Sequence, residues 1–431
     1  MSKIIERAVA IQLTGYLAAN DLLPRYQSAY RRCHSTETAL LRIWSDVMMA
    51  ADERKVTLLS LLDMSAAFDC VDHQILLHRL TFAAGMSGTA IQWIESFLSG
   101  RTQQVFYNGQ LSTISPVLYG VPQGSTLGPL LYILYKAELS HIIARHGLCH
   151  HLYADDVQLY HSSRPDEAAA TVDRLCACLI DVDAWLRASR LRLNANKTQI
   201  MWLGSRQQVS KVGITEVAAL SSSVQLVDEA RNLGVILDGQ LTLSAQVAAV
   251  CRNGYYQLRQ LRPLTSCMSG DIIKTLALAF VTSRLDYCNS LYYGVTDRLM
   301  SRLQSVQNAA ARLVSGLGRR DHITPTLRRL HWLPVRQRVN FKLATLVFRS
   351  LAGTAPAYIS DDCQLVPSAG RRSLRSSDSQ ACLVRRSHNH YGDRCFAAAG
   401  PVVWNSLPVD LRQPNNTYDS FKRSLKTFLF L

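Results

Sequence analysis

What this chain lacks narrows it first. Its 11 cysteines form no Cys-x-x-Cys pair, and Cys176 and Cys178 merely flank a single Ala. Zinc-ligand spacing is therefore missing, and the odd count favours reduced thiols over a closed disulfide framework. No predominantly apolar stretch reaches the roughly 20 residues of a membrane span, and the N-terminus carries no apolar core of a signal peptide. A nuclear or cytoplasmic location without a membrane partner is the expectation. No internal repeat is visible, which argues against a repeat architecture. Acid is the scarcer charge: 32 Asp and Glu stand against 47 Lys and Arg, a formal net charge of +15. That excess lies beyond the magnitude of about 2–8 that suits a small soluble domain, so a polyanionic partner is expected. With 48% hydrophobic and 18% charged residues, the composition is that of a globular protein, not a disordered one.

What is present centres on Tyr153-Ala154-Asp155-Asp156, set between short runs rich in Leu, Val and Tyr. Such runs read as strands, and Ala-Asp-Asp as the turn that joins them. Adjacent carboxylates at a hairpin tip repel, each disfavouring its neighbour's ionised form. A bound divalent cation removes that penalty, and hard oxygen ligands suit magnesium. An Asp-Asp pair by itself is most often an ordinary polar turn. A second apolar run, Leu58-Leu59-Ser60-Leu61-Leu62, ends in Asp63. Read as a buried strand, it delivers a third carboxylate beside the tip, the arrangement of two-metal phosphoryl chemistry. The plainer reading of Asp63 is a cap on the following turn. Asp72 precedes a helical apolar pattern and reads as an N-cap, so neither it nor Asp69 is assigned to metal.

Two further segments matter. Gly120-Val121-Pro122-Gln123-Gly124 is a loop, followed by helix-like spacing from Leu127 towards Arg145. Glycine there allows close approach of another backbone or a ligand, and Gln123 could contact a base or sugar. Lys197 follows a turn and precedes a strand. It could supply a charge or proton near departing pyrophosphate, although a turn lysine is usually just solvated.

In order and spacing these segments resemble a reverse transcriptase of a non-LTR (LINE-type, Jockey and chicken-repeat-like) retrotransposon. The likeness rests on Gln27-Ser28-Ala29-Tyr30-Arg31, His34-Ser35-Thr36-Glu37, Leu62-Asp63-Met64-Ser65-Ala66-Ala67-Phe68-Asp69, Gly120 to Gly124, Tyr153 to Asp156 and Leu193-Asn194-Ala195-Asn196-Lys197. It continues through Leu233-Gly234-Val235, His331-Trp332-Leu333-Pro334 and Trp404-Asn405-Ser406-Leu407-Pro408. The resemblance implies an RNA-directed DNA polymerase with two Mg2+ ions, Mn2+ being the alternative, held by Asp63 and Asp155 with Asp156 in support. It implies Phe68 under the incoming sugar, excluding a 2′-hydroxyl, and Gln123 and Gly124 at the template and nucleotide pocket. Tyr153 would pack by the primer end. The implied partners are an RNA template, a DNA primer and deoxynucleoside triphosphates. In the family the stretch at Met1 falls partway through the fingers, so the likeness implies an N-terminally truncated chain whose endonuclease would come from a longer element product. Triphosphate contacts would then fall to residues such as Arg25, Arg31 or Arg32. The competing reading is a catalytically inactive remnant that only binds nucleic acid; a cyclase on the same scaffold fits the long basic C-terminal half less well.

The expected fold is α+β, a right-hand polymerase: partial fingers over 1–56, an antiparallel-sheet palm over 57–205, a strand-rich bridge over 206–240, a helical thumb-like region over 241–359 and a basic linker and C-terminal segment over 360–431. The pattern predicts one helix from Leu127 to Arg145 and another opened by a Ser163–Asp166 capping box. Val247, Val250, Tyr255, Leu258 and Leu261 share one helical spacing, and Phe396, Val402, Trp404, Leu407, Phe421 and Phe428 are apolar anchors. Basic residues crowd late, from Arg312, Arg319 and Arg320 through Arg336, Arg338 and Lys342 to Arg371, Arg372, Arg375 and Lys426. Tyr255, Tyr256, Trp332 and Tyr358 lie among them, a mixture suited to backbone tracking and base stacking.

Overall fold

The strand Val56–Leu62 (β1) is buried almost end to end, because both of its faces are covered. It pairs with Asp156–Ser163 (β3) on one side and Gln199–Leu203 (β4) on the other, and Cys149–Tyr153 (β2) closes the far edge beyond β3. Every pairing in this four-stranded sheet is antiparallel, in the order β2-β3-β1-β4. Period-two alternation sorts the side chains. Val56, Leu58 and Leu62 of β1, Leu159 of β3, and Ile200 and Trp202 of β4 enter one core. Leu59, Tyr160, Met201 and Leu203 enter a second core on the opposite face. Each such Leu or Ile contributes about 1.5–3 kcal/mol on burial, so the pattern fixes the register: a one-residue slip would exchange the faces.

This computed structural model describes residues 2–65, 67–219, 222–366 and 380–430. Ala66 of the Leu62–Asp69 segment, Arg371, Arg372 and Arg375, and the middle of the 360–390 linker lie outside the described residues. The architecture is a mixture of helices and antiparallel sheet.

The first core is backed by Leu130, Leu131, Leu134, Leu175, Leu179 and Leu186 on the helices Gly128–Tyr135 and Ala168–Ala188. The second is spanned by Thr36–Asp52, whose Ser35 and Thr38 cap each other reciprocally. Against it pack the helices that follow two short hairpins, Glu216–Ala219 with Ser222–Gln225 and Glu229–Asn232 with Val235–Asp238. The C-terminal part joins the same core. Asp52 accepts the backbone N–H of Asn389 at 2.7 Å and that of His388 at 2.9 Å, and Phe396, Trp404 and Phe421 are buried with Trp44 and Met48.

Local details differ from the sequence pattern, each for a physical reason. The expected helix Leu127 to Arg145 is two helices, Gly128–Tyr135 and Leu139–Arg145. It breaks where Lys136 turns inward to bond with backbone carbonyls of the β2–β3 turn. Ser163 does not open the next helix. It is the last residue of β3, paired with Val56, and Arg164 N–H bonds to Glu167 at 3.2 Å across the turn Pro165–Glu167 instead. Asp72 is the N-cap expected, its Oδ1 accepting from Gln74 and Ile75. Tyr255 and Val402 share a helical spacing with buried neighbours yet face outward, each 44% exposed.

Two adjacent histidines make β2 sensitive to acid. His151 is fully buried and bonded through Nε2 to Ser28 Oγ at 2.8 Å. Burial, then the nearby His150, His34 and Arg42, pushes its pKa down to about 3; burial brings His150 to about 4. An unfolded histidine titrates near 6.5. Between those values the unfolded chain binds more protons, so stability falls as pH drops below about 6.5. Urea unfolding across this window will show that loss, and His150→Gln with His151→Gln will flatten it. An unchanged pH slope in the double variant would assign the acid sensitivity to other groups.

Candidate active site at one end of the sheet

The ladder decides where the acids lie. Leu62 is paired with Val157, and Tyr153 with Asp156. One step past the Leu62 pair, Asp63 leaves β1 beside Asp156. Ala154 and Asp155 make the connection between β2 and β3, with Ala154 at φ 53°. A left-handed alanine costs about 1–2 kcal/mol, so this turn needs support. Lys136 supplies it from below: its Nζ, entirely buried, donates to the carbonyl of Ala154 and to that of Asp155 at 3.1 Å. From the side, Gln27 Oε1 accepts the Ala154 N–H at 3.4 Å, and Ser28 N–H bonds to Leu152 O at 2.9 Å.

Burial lowers the Lys136 pKa to about 7, opposed by the negative charge of Asp155 and Asp156. Burial raises the Asp156 pKa, Asp155 and Asp63 add to the rise, and Lys136 counters it. Among the described residues, no hydrogen bond or ion pair reaches the side chains of Asp155 or Asp156. One oxygen of Asp63, Oδ2, is buried without a hydrogen bond, with Lys197 Nζ 3.4 Å away. Among the described residues no group of three His, Cys, Asp or Glu side chains already converges as a metal cage. The donor set nevertheless fits a hard divalent cation: carboxylates gathered at one sheet end, one with an unbonded buried oxygen.

The other residues singled out in the sequence fall on two loops stitched together here. Gly120 N–H bonds to Val71 O at 2.8 Å and Val121 N–H to Phe68 O at 2.9 Å. Phe68 is half-buried, its ring stacked on Tyr132 with centroids 4.3 Å apart. Exposed Gln123 donates through Nε2 to Asp69 Oδ1 at 2.9 Å. Gly124 is exposed, and Tyr153 is half-buried at the end of β2. The N-terminal helix Ser2–Ala19 holds this loop, since Glu6 accepts from Ser125 Oγ at 2.7 Å and Thr126 N–H at 2.8 Å.

Several basic and aromatic residues turn out to be structural. Trp332 and Tyr358 are 4% and 0% exposed and offer no face for stacking, whereas Tyr255 and Tyr256 are exposed. Arg336, Arg338 and Lys342 are ion-paired with Asp297, Asp286 and Glu37. Arg25 pairs with Asp361, and Arg31 Nη1 donates to the carbonyls of Pro24 and Gln27 at 2.7 and 3.1 Å. Arg32 is exposed. Neither Lys136 nor Gln27 stands out in the sequence as a site residue; a lysine directly after Leu130-Leu131-Tyr132-Ile133-Leu134-Tyr135 is the available signal for the first.

Gly120 has a constraint that Gly124 lacks. Both have positive φ, 89° and 78°, but a Cβ on Gly120 would lie 2.9 Å from Asp69 O while one on Gly124 meets nothing within 4 Å. Alanine at Gly124 is expected to cost about 1–2 kcal/mol through its backbone conformation. Alanine at Gly120 will cost more, because it must also displace the 68–71 loop. Urea unfolding of the two variants checks this, and equal losses would remove the close approach as a constraint.

The reverse transcriptase (RNA-dependent DNA polymerase) family matches residues 1–237 of this chain. A probable RNA-directed DNA polymerase from transposon X-element of Drosophila melanogaster is 28% identical over 328 residues, 73% of this chain and 34% of the relative. That from transposon BS of the same species is 28% identical over 327 residues, 73% and 35% of the two chains. The RNA-directed DNA polymerase from mobile element jockey of Drosophila melanogaster is 28% identical over 255 residues, 58% and 27%. The chain thus spans about a third of the length of the first two relatives. Among solved structures, apo telomerase from Candida tropicalis is similar over 76% of this chain and 58% of its own, with TM-score 0.40 and 12% identity. Telomerase from Candida albicans in complex with a fragment of telomeric RNA is similar over 78% and 56%, with TM-score 0.37 and 12% identity. Members of the reverse transcriptase family generally use divalent metal ions. With more than half its length matched and its acids gathered at one end of an antiparallel sheet, the chain belongs to the reverse transcriptase family, and its resemblance is to the LINE-type members.

Proposed function

We propose that this chain is an RNA-directed DNA polymerase that extends a primer 3′ end with deoxynucleotides on an RNA template. The observation that carries it is the gathering of Asp63, Asp155 and Asp156 at one sheet end, in a chain matched by the reverse transcriptase family. In this reading the sheet and its helices over 57–205 are the palm, 1–56 part of the fingers, 206–240 a bridge, 241–359 the thumb and 360–431 a basic C-terminal region. Among the described residues no helix is long and apolar enough to cross a membrane, in keeping with a nuclear or cytoplasmic setting.

Asp63, Asp155 and Asp156 would hold two divalent cations, magnesium or manganese, which when bound supply the charge that activates a hydroxyl and stabilises leaving pyrophosphate. The rest is positioning. Lys136 fixes the turn that presents Asp155. Lys197, beside Asp63, is placed to exchange that carboxylate for a phosphate of the departing group. Phe68, held against Tyr132, forms a rigid floor under the sugar, where a 2′-hydroxyl would clash. Gln123 and Gly124, on the loop bonded to that floor, border the template and nucleotide, and Tyr153 packs by the primer end.

Primer extension on an RNA template with magnesium and deoxynucleotides tests this directly. The wild type should incorporate and Asp155→Asn should not. Loss of incorporation in both, with RNA binding kept, would reduce the chain to a nucleic-acid-binding protein. Lys136→Met removes the donor under the turn and leaves two carbonyls without it. A displacement of the turn by about 1 Å lowers turnover by up to about 100-fold, with KM for the triphosphate little changed because Lys136 lies beneath the turn. Steady-state kinetics on folded variant decide it, and Lys136→Gln, which keeps an N–H donor, should recover part of the rate. Equal turnover in Lys136→Met and wild type would remove Lys136 from the positioning machinery.

A further inference from the structure

A cleft of about 930 Å³ opens between the helices Ser244–Leu261 and Asp297–Ser315, bounded by the turn Arg262–Ser266 and the helix Gly270–Ala277. No residue of the four-stranded sheet lines it, so it is separate from the carboxylate site. Arg259, Arg262, Arg312 and Arg319 line it, and none of its lining residues is acidic. Arg259, Arg262 and Arg319 are exposed, and among the described residues none of the three is ion-paired. Arg312 acts as a brace. Its Nε donates to Gly318 O at 3.1 Å and folds the loop that carries Arg319 back over the cleft. Asp321, the nearest acid in that loop, is turned to the Gly318 N–H at 2.7 Å. The floor is apolar, with Leu258 and Ile273 buried, and Tyr255 stands on the lining 44% exposed.

Arginines without counter-charges, an apolar floor and an exposed tyrosine ring answer to phosphates joined to flat aromatic groups. A duplex keeps its bases stacked inside and could use only the arginines. An acidic peptide would likewise leave the ring and the floor unused. We propose that this cleft binds a single nucleic-acid strand, its phosphates on the arginines and a base on Tyr255, apart from the carboxylate site. The proposal deepens the polymerase reading by giving the chain a second grip on the strand it copies or extends.

The test is fluorescence anisotropy of the full chain with labelled 15-nucleotide single-stranded RNA, the same sequence as DNA, and a blunt duplex, over a KCl series without divalent metal or triphosphate. Arg259→Ala with Arg319→Ala should reduce the slope of log affinity against log salt for single strands by about 1.4, roughly 0.7 for each phosphate no longer neutralised. Tyr255→Ala should weaken single strands about tenfold and leave the duplex unchanged. Arg336→Ala removes one positive charge from an arginine ion-paired with Asp297 and should change neither. Primer extension reads the carboxylate site and this metal-free binding assay does not, so failure of the polymerase reading and failure of this one separate. The RNA and DNA arms tell which strand is held, and preference for either supports the cleft. Wild-type affinity and slope in the double arginine variant, an equal loss for the duplex in Tyr255→Ala, or complete displacement of the strand by equimolar polyglutamate would overturn it.

Discussion

Like charges placed side by side are the constraint on which this molecule turns. Antiparallel pairing brings the end of β1 next to the start of β3, so Asp63 and Asp156 meet whether or not anything neutralises them. Asp155 follows in the same turn. Coulomb repulsion at this range would spread a flexible loop apart. It does not here because β1 is held by both neighbours and by two cores, and the side-chain alternation permits no slip. The stability of the sheet is what lets its end remain electrostatically uncomfortable.

The response of the structure is local and cationic. Lys197 faces Asp63 from the outside, while Lys136 lies beneath the hairpin. A buried ammonium is costly unless its protons are matched. Two carbonyls of a left-handed turn are acceptors that no helix or strand would otherwise claim, and the two penalties offset each other. The same economy runs through the 120–124 loop, where a backbone that only glycine can follow lies against Asp69 and carries Gln123 to the acid's carboxylate.

Much of this could be read from the chain. The β2–β3 hairpin, the acid after Leu62 and the N-cap at Asp72 follow from strand alternation and capping chemistry, which act over a few residues. Lys136 could not be placed in the same way. At the end of an apolar helical run a lysine reads as a solvated terminus, and only the hairpin packed above it, about twenty residues later, turns it inward. The break in the expected helix to Arg145 has the same source. Ser163 read as a helix cap because its partner in the sheet, Val56, lies far back in the sequence. Trp332 and Tyr358 read as exposed aromatics beside arginines, whereas arginines coat the outside of a core as readily as they coat a groove. Which face each ring takes is decided by packing between distant helices. Proximity in space is established for the candidate residues of the sheet end; their chemical roles rest on the proposed reaction.

The docking of residues 388–425 onto the helix Thr36–Asp52 bears on how this protein is made. The helix is synthesised long before the segment that covers it: Asp52 finds its N–H donors at His388 and Asn389, and Trp44 and Met48 share a core with Trp404 and Phe421. A growing chain therefore carries one apolar face uncovered until residues 388–425 have left the ribosome. Domains usually fold in order as they emerge, but this core cannot close in that order, and loop closure over so long a separation is slow. The interval between translation and closure is when the chain is exposed to chaperones and proteases. A message that ends early would yield a product with its acids in place and one side of its sheet support unsealed.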